Sequence, residues 1–112
     1  MGTAKIARSI EEFFDDHSVA GLILPNGWFG RPYDSFHRLS ACTVEDDTMR
    51  VELDGRLNLS FAGDRLVAVS GRDGLTVRGY DTVAWDWHPY DTLDQHHEVF
   101  SAGEVTFVIL PD

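Results

Sequence analysis

The sharpest pattern in the chain is an alternation over positions 49–61. The odd positions Met49, Val51, Leu53, Leu57, Leu59 and Phe61 are apolar and the even ones are polar throughout. A period of two puts one set of side chains on each face of a strand, so this stretch predicts β structure with one buried face. The Asp54-Gly55 pair within it invites a two-residue hairpin, but that turn would set Leu53 opposite Arg56 and Val51 opposite Asn58. An odd loop, Asp54-Gly55-Arg56, sets Leu53 opposite Leu57 and Val51 opposite Leu59 and keeps the apolar face whole, as a single bent strand through Gly55 also would. The odd loop is the expected solution.

Shorter runs of the same kind follow and precede it. Strands are expected over 22–24, 36–44, 66–69, 75–80, 83–87, 98–100 and 105–110. The imperfect alternation over 36–44 signals a bulge or an edge. Glu45-Asp46-Asp47, Gly63-Asp64, Ser70-Gly71-Arg72-Asp73-Gly74 and Ser101-Ala102-Gly103 punctuate the runs. Ahead of all this, Ile6, Ile10, Phe13 and Phe14 recur at helical spacing and predict one amphipathic helix over about 9–18. Ser9 and Glu12 stand at capping-box spacing there, and Gly21 is a stop. Its apolar stripe should cover a mouth or face of the β structure, with recruitment of a partner by Phe13 and Phe14 as the sharper alternative. The expected fold is mainly β (α+β): a small antiparallel β-barrel or sandwich of about seven to nine short strands with one N-terminal amphipathic helix, forming a single domain over 1–112.

Length and composition agree with that picture. A chain of 112 residues with 43% hydrophobic and 25% charged residues can bury one core without metal or disulfides. The single cysteine, Cys42, cannot form an intrachain disulfide and reads as a packing residue. With no hydrophobic leader at Met1 and no apolar run of membrane length, the expectation is a soluble, cytoplasmic protein without a membrane partner.

Charge narrows the partners further. The formal net charge is −10, and the nine basic residues, one lysine and eight arginines, form no cluster. Phosphate backbones would be repelled at long range, so nucleic acid is not an expected partner.

Two segments share a second pattern, the second of them fed by the strand over 83–87. One is Trp28-Phe29-Gly30-Arg31-Pro32-Tyr33-Asp34-Ser35 and the other Trp85-Asp86-Trp87-His88-Pro89-Tyr90-Asp91-Thr92. They align without a gap on Trp, Arg or His, Pro-Tyr-Asp and a hydroxyl residue, and together hold all three tryptophans and two of the three tyrosines. Proline sets φ, and Asp with Ser or Thr closes a turn through side chain to backbone hydrogen bonds, so both read as shaped turns. Sealing the end of a β domain is one role for such aromatics. Presentation is the other, because Trp, Tyr and Arg dominate binding hot spots and Trp28-Phe29 stands between glycines. On that reading Trp28, Phe29, Arg31, Tyr33, Asp34, Trp85, Trp87, His88 and Tyr90 form a surface for a protein or small ligand. An acidic inhibitor or immunity-type protein that occludes a basic enzyme has the same size and charge, and surface carboxylates would steer such a partner. Homo-oligomerisation through a strand edge is open as well.

Catalytic signals are sparse. No nucleophile elbow, phosphate loop or dinucleotide fingerprint is present, no cofactor is implied, and the reading leans away from an enzyme. The alternative is a small enzyme or metal-dependent protein built on His88, Asp91, Asp94, His96, His97 and Glu98, which crowd together without a familiar zinc spacing. In an extended chain His96 and Glu98 share one face and His97 the other. His37 or His88 beside Asp34 or Asp91 would supply a general base if the two turns meet.

Overall fold

The computed structural model describes residues 3–28, 37–87 and 96–109. Among these residues one helix, α1 (Thr3–Asp16), is followed by ten strands. These are β1 (Ala20–Leu24), β2 (Gly27–Trp28), β3 (Leu39–Glu45), β4 (Thr48–Leu53), β5 (Leu57–Ala62), β6 (Val67–Ser70), β7 (Gly74–Arg78), β8 (Thr82–Trp87), β9 (His96–Phe100) and β10 (Val105–Ile109). They form two antiparallel sheets, ordered β2-β1-β10-β7-β6 (sheet I) and β3-β4-β5-β8-β9 (sheet II). The mainly β, helix-fronted fold thus takes the sandwich form of the two expected, since the sheets do not close into a barrel. The strand count passes the expected range with the two-residue β2.

The alternation over 49–61 becomes the β4–β5 hairpin in the anticipated register, with Leu53 opposite Leu57 and Val51 opposite Leu59. Asp54 (φ 57°) and Gly55 (φ 68°) both take the left-handed conformation in the three-residue loop, which the Arg56 N–H to Leu53 carbonyl bond closes at 3.0 Å. Met49, Val51, Leu53, Leu57, Leu59 and Phe61 are all buried. They face Leu22, Leu75, Val77, Val105 and Phe107 of sheet I within one apolar cluster. β3 carries the expected irregularity, a register shift between Leu39 and Ala41. Sheet I contains the tightest backbone approach. A Cβ on Gly74 (φ 154°) would stand 2.0 Å from the Phe107 carbonyl oxygen, so only glycine lets β7 lie this close to β10.

The helix begins six positions before the anticipated capping box. Ser9 lies inside it, its hydroxyl donating to the Lys5 carbonyl at 3.1 Å, a back-bond that replaces capping. Burial overrides the capping signal, because Ile6 and Ala7 join Ile10 and Phe14 in the core. Gly21 lies within β1 rather than at the helix end. The apolar stripe closes the sandwich: α1 packs on β3 and β4 and reaches β6, and so bridges one edge strand of each sheet. The Phe14 ring meets Phe107 edge-on at 5.6 Å. No helix of the described residues is long and apolar enough to cross a membrane.

Candidate functional site

The strand registers set the residues that flank three connections at one end of sheet II. Reading across it, Leu39 pairs with Leu53, Leu53 with Leu57, Leu57 with Trp87, and Trp87 with His96. This row is the last before three connections: the 54–56 loop, segment 88–95 between Trp87 and His96, and segment 29–36 where it re-enters before β3. From Leu39 to Trp87 is three strand spacings, about 14 Å. The 29–36 segment is also pinned to sheet I. Trp28 pairs with Ile23 at its start, and His37 forms a bridge with Ala20 at its end. Both anchors stand on β1, three residues or about 10 Å apart.

His37 is the corner post of this end. Its backbone exchanges two hydrogen bonds with Ala20, 2.9 and 2.8 Å, which ties sheet I to the entry of sheet II. Its side chain is 10% exposed, and Nδ1 donates to Asp54 Oδ2 at 2.7 Å. The other carboxylate oxygen, Oδ1, accepts the Arg38 N–H at 2.9 Å, and the Asp54 N–H returns to the Arg38 carbonyl. Ser40 Oγ takes the Gly55 N–H at 2.7 Å. An acid at position 54 tolerates the left-handed conformation while its oxygens reach back along the neighbouring strand. His37 thus has a carboxylate partner in Asp54, whereas Asp91 and His88 of the anticipated pairing lie outside the described residues. Asp34 lies outside the described residues. Nε2 is buried as well.

A second pair lies on the outer face of sheet II. Asp86 and His97 are cross-strand partners, and His97 Nδ1 donates to Asp86 Oδ1 at 2.6 Å. The His97 side chain is 52% exposed. Asn58 adjoins Asp86 and Glu52 adjoins Asn58 in the same register row, so polar groups line that face.

Other anticipated site residues separate. Trp85, opposite Leu59, is 9% exposed and belongs to the core, so its ring is not presented. Trp87 packs half-buried against the same core. Glu98 pairs with Trp85 and His97 with Asp86, on opposite faces of β9 as an extended chain requires. His96 pairs with Trp87 by backbone register, and no cluster of metal-binding side chains occurs among the described residues. Phe29, Arg31, Tyr33, His88, Tyr90, Asp91 and Asp94 lie outside the described residues, as does the side chain of Trp28.

Cys42 is half-buried on β3, and its thiol lies 3.8 Å from the Ala7 carbonyl as a donor. Burial, with a smaller contribution from the Glu11 carboxylate, pushes its pKa up to about 11, which makes it a poor nucleophile. Tyr80, whose hydroxyl donates to the Ala102 carbonyl at 3.2 Å, is likewise raised by burial and by Glu104.

Sequence reasoning missed Asp54 and Asp86 as histidine partners. Position 54 carried a turn signal that masked its side chain, and Asp86 becomes a neighbour of His97 only once β8 and β9 pair. No family model matches the chain, and neither the curated proteins nor the solved structures yield a match.

Proposed function

We propose that this protein is a non-catalytic binding or regulatory module that engages a protein partner at the loop end of sheet II, through the segments 29–36 and 88–95. The observation that supports the reading is the register row from Leu39 to His96, which sets the described residues that follow 29–36 and flank 88–95 at one end of sheet II. Loops set on a rigid sheet are where recognition residues concentrate. The segments bring Arg31, Tyr33 and Tyr90, with Trp28 and Trp87 flanking them, residue types that dominate hot spots, and the net charge of −10 would steer a basic partner. Trp85 is left out of this surface because it is buried.

Affinity capture from the source cells with wild type and with Tyr33→Ala/Tyr90→Ala tests it. Loss of a captured protein with an unchanged melting curve supports the reading, and identical captured sets refute it. A metal-dependent role for 88–98 draws support from one observation. Asp86 fixes the His97 ring through Nδ1, the arrangement in which a second carboxylate orients a ligating histidine. A chelator-sensitive function that is also lost in His97→Ala would favour that alternative.

A further inference from the structure

We infer that β6 is a self-association edge, through which two copies of this chain pair their first sheets antiparallel about Ala68. Among the described residues β6 hydrogen-bonds only to β7, so its other side is an edge. Proteins blunt such edges with charge, proline, bulges or a covering helix; Val67-Ala68-Val69-Ser70 has none of the first three, and α1, which reaches β6, leaves Val67, Val69 and Ser70 exposed. Val67 and Val69 point away from the core, 44% and 40% exposed, while Ala68 packs against the core from the inner face.

The ladder decides which backbone groups are available. The Gly71 N–H donates to the Gly74 carbonyl at 2.8 Å, continuing the register in which Val69 meets Thr76 and Val67 meets Arg78. Hydrogen-bonded pairs alternate in an antiparallel ladder, so 71, 69 and 67 bond to β7, and Ala68 and Ser70 turn their N–H and C=O groups to the edge. A two-fold pairing must therefore join these outward residues. Centred on Ala68, it sets each Val67 beside a Val69 of the other copy and puts Asp64, in the bend before β6, at the same end of the pairing as Arg72 of the other copy, in the turn after β6. Centred on Val69, it opposes Arg65 and Asp73 but spends Val67 on Gly71. The first arrangement uses both valines twice and is the one assigned.

Charge explains why the copies meet here. The molecule as a whole carries −10, which opposes association, yet Arg65, Arg72 and Arg78 outnumber Asp64 and Asp73 around β6 and β7. Arg78 is the sole charged residue in the five strands of sheet I. The acidic excess therefore lies elsewhere on the molecule. β10 and β7 separate β6 from β1 and β2, the strands that anchor the 29–36 segment, so the inference stands independently of the loop-end reading.

Sedimentation equilibrium of the full chain from about 10 µM to 1 mM tests it, the span suited to a small interface. The expected result is a mass rising from 12.6 kDa toward twice that value, with Val69→Lys remaining monomeric. Asp64→Arg and Arg72→Asp should each weaken the dimer about tenfold or more, and the double exchange should restore it to within about threefold. Repulsion from net charge alone gives a different pattern, because Asp64→Arg would then tighten the dimer. A monomer throughout the range overturns the inference, as does a dimer indifferent to Val69→Lys, or single exchanges that the double variant does not rescue. Unchanged melting curves for the exchange variants separate these results from unfolding.

Discussion

The two histidine–carboxylate pairs have the same chemistry and nearly the same length, 2.7 Å for His37–Asp54 and 2.6 Å for His97–Asp86. Everything else about them differs. His37 is buried, its partner is fixed by a second hydrogen bond from Arg38, and its backbone joins the two sheets. His97 and Asp86 face outward on neighbouring strands. A buried polar group is costly without its partner, whereas an exposed one exchanges protein for water at little change in free energy. The same bond length therefore marks a structural post in one place and an accessible polar feature in the other.

The largest effect should come from His37→Ala. It removes a buried ring and strips Asp54 of one donor, so it should cost about 2–4 kcal/mol in a denaturant titration. A cost below about 0.5 kcal/mol would mean that burial does not separate the two pairs. Next comes Asp54→Ala, at about 2 kcal/mol, since two donors lose their acceptor and alanine must hold a left-handed φ. Asp54→Asn, which tolerates that conformation and keeps one carbonyl oxygen, should recover about half of the loss; no recovery would shift the weight to the lost carboxylate oxygen. His97→Ala should change stability by less than about 0.5 kcal/mol. A larger loss would promote this exposed pair to a structural element.

Cys42 extends the contrast to a third ionisable group. With its pKa pushed up to about 11 from an ordinary 9.0, the folded thiol keeps its proton where the unfolded thiol loses it. Across pH 9–11 the unfolded chain then binds fewer protons, so Cys42 makes stability fall as pH rises. In practice the native protein should react with iodoacetamide far more slowly at pH 8 than the unfolded chain. Equal rates would show an accessible thiolate and contradict the packing at Ala7.

Legibility of the site followed the range of the forces involved. His37 was readable as a residue able to engage a carboxylate, because that is its chemistry. That Asp54 is a partner needed the hairpin to carry position 54 back beside the entry to β3. Trp85 shows the opposite case. Its place beside Trp87 and Pro89 suggested presentation, but the alternation of β8 assigns it to the face shared with Leu59, and there it is buried. The helix start was misjudged because a local cap, worth about 1 kcal/mol, competes with burying Ile6 and Ala7.

By itself the sequence determined the strand periodicity, the odd loop at 54–56, the irregularity in β3 and the apolar face of the helix. Each of these follows from the period of side chains along a single segment or from the turn chemistry of adjacent residues. Tertiary structure alone decided the partition into two sheets, the choice of sandwich over barrel, both histidine–aspartate pairings and the placing of Leu39, Trp87 and His96 in one row at one end of sheet II. Those features depend on which strands become neighbours. Antiparallel pairing can join any strands whose apolar faces match, and only the packing of all ten with α1 selects among them.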